Sequence, residues 1–178
     1  MSGATGASAG ASAGPRAGDA SGAHPGRFAG KVCLIVGASQ GMGRVTALAA
    51  ARAGARVIVA ARREDALAEV VREIQAAGGE AVAHVVDARD AASVERLVAF
   101  VRERYGRLDL AFNNVGKQQG RAPLHEIPLE RWREAVGVNL DATFYCMKYE
   151  IPLMLASGGG SIVNNSSKAG LRGLPAMA

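Results

Sequence analysis

The stretch Val36-Gly37-Ala38-Ser39-Gln40-Gly41-Met42-Gly43-Arg44 joins two segments of different periodicity. Before it runs an unbroken apolar stretch, Val32 to Val36, the pattern of a short strand buried on both faces. After it, Val45 to Ala53 reads as a helix. A strand, a glycine-rich turn and a helix in that order form a cradle for a phosphate-bearing ligand. The glycines let the chain turn sharply and let a pyrophosphate approach the backbone closely. The start of the helix supplies N–H groups without intrahelical partners and about half a positive charge. This predicts a dinucleotide-binding βαβ unit, in which a side chain at Gly43 would fill the pyrophosphate path.

The remainder of the chain extends that pattern. The first helix covers Gly41 to Ala53, with Val45, Leu48 and Ala49 on one face, and Gly54 ends it. Arg56 to Ala60 is a second strand, and Glu64 to Ala77 is a helix with Leu67, Val70, Val71 and Ile74 at helical spacing, stopped by Gly78-Gly79. Ala81 to Val86 is a third strand. Asp90 is an N-cap for a helix that buries Val94, Leu97, Val98 and Val101 and ends at Gly106. Leu108 to Phe112 is a fourth strand. A helix follows near Leu129 to Val138, and another continues through Asn139 to about Ala156, with a bend expected at Pro152. Gly158-Gly159-Gly160 turns the chain into a fifth strand, Ser161 to Asn165. Alternating strands and helices predict a doubly wound, Rossmann-type parallel α/β sheet, and right-handed crossovers give the order 3-2-1-4-5. The crevice then opens at the carboxyl ends of the first and fourth strands, where Gly37 and Asn113 fall.

Composition narrows the function classes. Hydrophobic residues are 49% of the chain but aromatics only 4%, so the core is built of Ala, Val, Leu and Ile. The net charge of +5 comes from scattered Arg residues adjacent to Glu and Asp, with no basic block interleaved with aromatics, which argues against a nucleic-acid partner. No apolar run approaches the roughly 20 residues needed to cross a bilayer. The two cysteines, Cys33 and Cys146, lie in apolar stretches and read as buried, reduced thiols of a cytoplasmic protein. Residues 1–27 are rich in Gly, Ala and Ser and read as a disordered tail, leaving 28–178 as the dinucleotide-binding domain. The histidines His24, His84 and His125 show no metal-ligand spacing and read as surface or loop residues, so no metal site is expected.

The spacing Gly37-x3-Gly41-x-Gly43 resembles the TGxxxGxG motif of the short-chain dehydrogenase/reductase family, with Val36 at the usual Thr. Four further stretches fit the same family in order. Asp87 after the third strand matches an Asp that bonds the adenine amino group. Asn113-Asn114-Val115-Gly116 is similar to NNAG, and Asn139 matches an Asn whose backbone carbonyl holds a water of a proton relay. Ser161 to Ser167 is similar to the strand that ends in the catalytic Ser, which makes Ser167 the matching hydroxyl and Ser166 the runner-up. The resemblance implies hydride transfer between a nicotinamide dinucleotide and a small-molecule carbonyl or alcohol. Ser39, Gln40 and Met42 then belong to the cofactor turn. At the end of the second strand Ala61 stands where NAD binders commonly carry an acid, and Arg62, followed by Arg63, can fork a guanidinium onto a phosphate there, which favours NADP over NAD. The alternative for this arginine pair is a solvated helix entry.

The same resemblance implies a Tyr acid/base with a Lys four residues on. Its spacing from the Ser projects to about position 180, past Ala178, and none of Tyr105, Tyr145 and Tyr149 has a Lys four residues later. The chain is therefore expected to be an N-terminal portion that lacks the last strands and does not turn over. The alternative is a truncated protein that binds a dinucleotide without chemistry. The full-length form is expected to be a homo-oligomer built on the helix near 140–156.

Overall fold

The computed structural model describes residues 26–118 and 120–171. Five parallel strands form one sheet in the order β3-β2-β1-β4-β5. They are β1 (Val32–Val36), β2 (Arg56–Ala61), β3 (Glu80–Val85), β4 (Leu110–Asn113) and β5 (Ser161–Asn164). The helices between them are α1 (Gly41–Arg52), α2 (Glu64–Ala76), α3 (Ala91–Tyr105), α4 (Leu129–Val136) and α5 (Ala142–Ala156). A π-helical turn, Gly137–Asp141, joins α4 to α5, and short 3-10 turns cover Leu124–Glu126 and Lys168–Gly170. This is the Rossmann-type architecture expected from the alternation of strands and helices.

The central strand shows how the layers arise. Every residue of β1 is buried. Successive side chains point to opposite faces, so Val32, Leu34 and Val36 join one core with α3 and α5, through Val94, Leu97, Val98, Val101, Cys146 and Leu153. Cys33 and Ile35 join the other, against α1 and α2, with Ala47, Ala50, Leu67, Val70 and Ile74. Both cysteines are free and buried. Burial pushes the Cys33 thiol up to about 12.

Several local details depart from the sequence reading. In α1 the buried face is Gly43, Ala47, Ala50 and Ala51, whereas Val45 is 62% exposed, Ala49 is exposed and Leu48 is half-buried. Gly43 is pressed onto the turn before the helix, and this fixes the helix rotation, so small residues at 43, 47, 50 and 51 face the sheet. Helical structure in α5 continues through Pro152, and the departure from α geometry lies upstream at Gly137–Asp141. β4 begins at Leu110 rather than Leu108. His84 is part of β3 and is half-buried, its ring 5.0 Å from that of Phe100. His125 is exposed as expected, and His24 lies outside the described residues, as does most of the predicted tail. Asp90 caps α3 as expected, its side chain accepting from the Ala92 N–H at 3.0 Å.

Candidate functional site

β1 and β4 are adjacent and parallel, with Val36 opposite Asn113. From their carboxyl ends the chain leaves toward opposite faces, so a crevice opens at this switch point. The three glycines of the turn have separate jobs. Gly37 has φ +85°, and a Cβ there would lie 2.6 Å from the Asn114 carbonyl oxygen. A Cβ on Gly43 would lie 2.1 Å from the Gly37 carbonyl oxygen. These two permit the turn and the close seating of α1. Gly41 has φ +54°, and a Cβ there would meet nothing within 4 Å. The glycine that faces open space is therefore Gly41. A side chain at Gly43 would thus clash inside the turn itself.

The first turn of α1 carries no acid of its own. Gln40 is the extended N-cap residue but makes no side-chain cap bond. In α2, by contrast, Glu64 and Asp65 occupy the first turn. The Gln40 side chain is held from outside: Arg63 Nη2 donates to Gln40 Oε1 at 2.8 Å and to Ser39 Oγ at 3.5 Å. Arg63, rather than Arg62, is thus the guanidinium that reaches the glycine turn. Arg62 is exposed, and its charge contributes to lowering the carboxyls of Asp87 and Glu134. Met42 is 63% exposed beside the turn.

Asp87, after β3, is clasped by Arg89, whose Nε and Nη2 donate at 3.0 and 2.6 Å. That hydrogen bond is the main reason the Asp87 carboxyl lies below its ordinary value. At the end of β4 two asparagines act differently. Asn113 is 3% exposed, and its Nδ2 donates to Glu150 Oε2 and to Asn164 Oδ1, both at 3.0 Å. Asn114 Nδ2 donates to the Gly37 carbonyl at 3.3 Å, and Asn114 Oδ1 accepts from Asn165 Nδ2 at 2.7 Å. Gly116 follows, 3.4 Å from Asn139 Oδ1 as measured from an added Cβ.

Asn139 lies within the π-helical turn, a geometry that recurs at functional sites. Its side chain grips the backbone of Lys117 on both sides: Oδ1 accepts from the Lys117 N–H at 3.0 Å, and Nδ2 donates to the Lys117 carbonyl at 3.2 Å. Lys117 in turn pairs with Glu134 on α4 at 2.6 Å, and this hydrogen bond is the main cause that lowers the Glu134 carboxyl. Ser166 and Ser167 are exposed past the end of β5, and Ser167 Oγ accepts from the Ala169 N–H at 3.2 Å. The structure therefore ties together the turn, the two asparagines of β4, Asn139 and the segment that leads to Ser167.

Sequence reasoning missed Glu150, Asn164, Asn165 and Arg89. Two signals were available. An acid stands on the otherwise apolar stripe of α5, between Cys146 and Leu153, and the Asn-Asn pair at 113–114 is repeated at 164–165. Among the described residues no cluster of His, Cys, Asp and Glu forms a metal site. No helix among them is long and apolar enough to cross a membrane.

The sheet order defines a Rossmann-type α/β protein, and the candidate site lies at the switch point between β1 and β4. The short chain dehydrogenase family model matches residues 31–178, and the chain belongs to that family. It is 43% identical over 148 residues to cyclohexanol dehydrogenase of Acinetobacter sp. (strain SE19), covering 83% of this chain and 59% of that protein. The structure of NAD+-bound xylitol dehydrogenase superposes with a TM-score of 0.81 at 32% identity, covering 85% of this chain and 58% of the other. A metagenomic short-chain oxidoreductase in complex with NADP gives a TM-score of 0.81 at 35% identity, covering 85% and 68%. The chain spans little more than half the length of the curated relatives it matches.

Proposed function

We propose that residues 28–178 form the dinucleotide-binding part of an oxidoreductase that transfers a hydride between NADP(H), or less favourably NAD(H), and a small-molecule carbonyl or alcohol. The observation that carries this reading is the uncapped start of α1 behind Gly41, with the Arg63 guanidinium fastened beside it. An oligophosphate supplies the anion that this helix end lacks. The names of the similar proteins, dehydrogenases and NAD+- or NADP-bound structures, support it.

When bound, the dinucleotide supplies or receives the hydride. Residues of this chain bind and orient it. The backbone from Gly37 through Ser39, Gln40 and Gly41 to Met42 and Gly43 receives the pyrophosphate. Arg63, with Ser39 and assisted by Arg62, takes the 2′-phosphate, since Ala61 places no acid there. Asp87 accepts from the adenine amino group. Asn113, Asn114 and Gly116 shape the wall along the nicotinamide half. Asn139 holds the loop at Lys117, and its backbone carbonyl, in the widened turn, holds water. Ser167 donates a hydrogen bond to the substrate oxygen. The proton itself has no evident source in residues 1–178: a serine hydroxyl is too weak an acid, and no Tyr there has a Lys four positions on. Residues 1–178 by themselves are therefore expected to bind without turnover.

The outward apolar side chains of α5, Phe144 at 55%, Ile151 at 43% and Leu155 at 71% exposure, suit pairing with a second copy in the full-length protein. Cytoplasmic residence fits the two buried free thiols.

Fluorescence titration with NADPH and NADH tests the cofactor reading. NADPH is expected to bind more tightly by about tenfold, the worth of one charge-assisted pair. Arg63→Ala is expected to abolish that difference. Absence of binding by either dinucleotide would overturn the proposal, and an unchanged preference in Arg63→Ala would remove the phosphate assignment.

A further inference from the structure

We propose that Glu150 is a positioning residue for this site: a wholly buried carboxyl on α5 that fixes the carboxyl ends of β4 and β5 through the amides of Asn113 and Asn164. The proposal rests on the reading of the crevice as a dinucleotide site that carries Ser167.

Glu150 is 0% exposed. A glutamate is almost never so deeply buried unless it is paired, yet no cation pairs with it among the described residues. Its polar partner is Asn113 Nδ2 at 3.0 Å. The same nitrogen donates to Asn164 Oδ1 at 3.0 Å, and Asn164 Nδ2 reaches Met147 Sδ at 3.1 Å. Met147 lies one turn before Glu150 on α5, so the contacts close a ring through α5, β4 and β5.

Packing alone does not account for the acid. An apolar side chain of similar volume would fill the space without the cost of burying a carboxyl. It would also leave the Asn113 amide without its acceptor on α5. Burial pushes the Glu150 carboxyl up to about 7, against the opposing hydrogen bond from Asn113, which matches a group kept for its hydrogen bond rather than for its charge.

The ring has two outlets toward the site. Asn113 is paired in register with Asn164, and its carbonyl accepts from the Asn165 N–H at 2.9 Å. Two residues beyond Asn165 is Ser167. One position along β4, Asn114 joins Asn165 to the Gly37 carbonyl. A shift of Asn113 is therefore felt both at the segment that bears Ser167 and at the glycine turn.

The test compares Glu150→Leu and Glu150→Gln in the full 178-residue chain, by thermal unfolding, NADPH titration and amide exchange over residues 161–167. Glu150→Leu is expected to stay folded, to weaken NADPH binding about fivefold and to speed exchange in that segment by a similar factor, the worth of one lost hydrogen bond. Glu150→Gln keeps an acceptor for Asn113 and is expected to stay within about twofold of the parent in both readouts, less than the worth of one hydrogen bond. Parental values in Glu150→Leu overturn the proposal, and so does a loss in Glu150→Gln as large as in Glu150→Leu. Should Glu150→Leu fail to fold, Asn164→Ala opens the same ring from its exposed side. Faster exchange and weaker binding there support the proposal, and parental values overturn it. A parent that binds no NADPH would sink the dinucleotide reading instead, and the exchange comparison would still decide the role of Glu150.

Discussion

Two buried acids sit at opposite ends of the strands and titrate in opposite directions. Asp109, before β4, is 6% exposed and accepts from Lys31 Nζ at 3.1 Å, from the Val32 N–H at 2.9 Å and from Arg107 Nε at 2.9 Å and Nη2 at 2.5 Å. Burial acts to raise its carboxyl, but the bonds from Arg107, Val32 and Lys31 outweigh it and hold the group at about 2. A depressed carboxyl stabilises the fold above its unfolded value, and that contribution is lost as pH falls toward about 2. Asp109→Asn is therefore expected to cost on the order of 2 kcal/mol at pH 7 and much less at pH 2, measured by urea unfolding. Glu150 is raised to about 7, so its sign is reversed. Its contribution is complete below the unfolded value and declines as pH rises toward 7. Glu150→Gln cannot ionise, and it is expected to exceed the parent in stability at pH 8 by on the order of 3 kcal/mol, with the advantage gone near pH 4.5. A constant difference across pH would show that neither acid titrates as its surroundings dictate.

At the scale of elements, the turn before α1 separates folding from binding. Gly43→Ala places a Cβ 2.1 Å from the Gly37 carbonyl oxygen, so α1 must move off the sheet, and both melting temperature and NADPH affinity are expected to fall together. Gly41→Ala meets no protein atom, although its φ of +54° disfavours a side chain. Its cost to folding is expected to be about 1–2 kcal/mol, while NADPH binding is lost because the methyl stands where the ligand backbone approaches. A Gly41→Ala variant that binds normally would mean that the open side of the turn faces solvent alone. The glycines were legible in the sequence because backbone need shows as composition, but their division of labour was not, since it depends on which atoms come near in space. The same distinction holds elsewhere in the chain. The five strands, to within two residues at their ends, and the buried stripe of α3 follow from local periodicity. The rotation of α1 is set by Gly43 against Gly37, a contact across the turn, and could not be read from a window of apolar residues. Likewise Asn139 was singled out for its backbone, whereas its side chain binds a loop 22 positions away in sequence.

At the scale of the whole molecule, the sheet is covered unevenly. α1 and α2 pack over β1, β2 and β3, and α3 and α5 pack on the other face. β5 pairs with β4 alone among the described residues. On it, Ile162 turns toward the α3–α5 core, whereas Val163, paired in register with Phe112, is 57% exposed. A strand with one free ladder edge and an uncovered β-branched side chain is a template for edge-to-edge pairing. Residues 1–178 studied by themselves are therefore expected to self-associate through β5, in proportion to concentration and independently of the dinucleotide. A lysine at the exposed position blunts such an edge without touching the crevice, because the side chain of residue 163 points away from the Asn113–Asn164 ring by the alternation of the strand. Val163→Lys is expected to raise the monomer fraction severalfold in sedimentation velocity and to leave NADPH affinity unchanged. If association persists in Val163→Lys but falls in Phe144→Glu on α5, the contact belongs to the outward face of that helix, and the open edge of the sheet is not what brings the chains together.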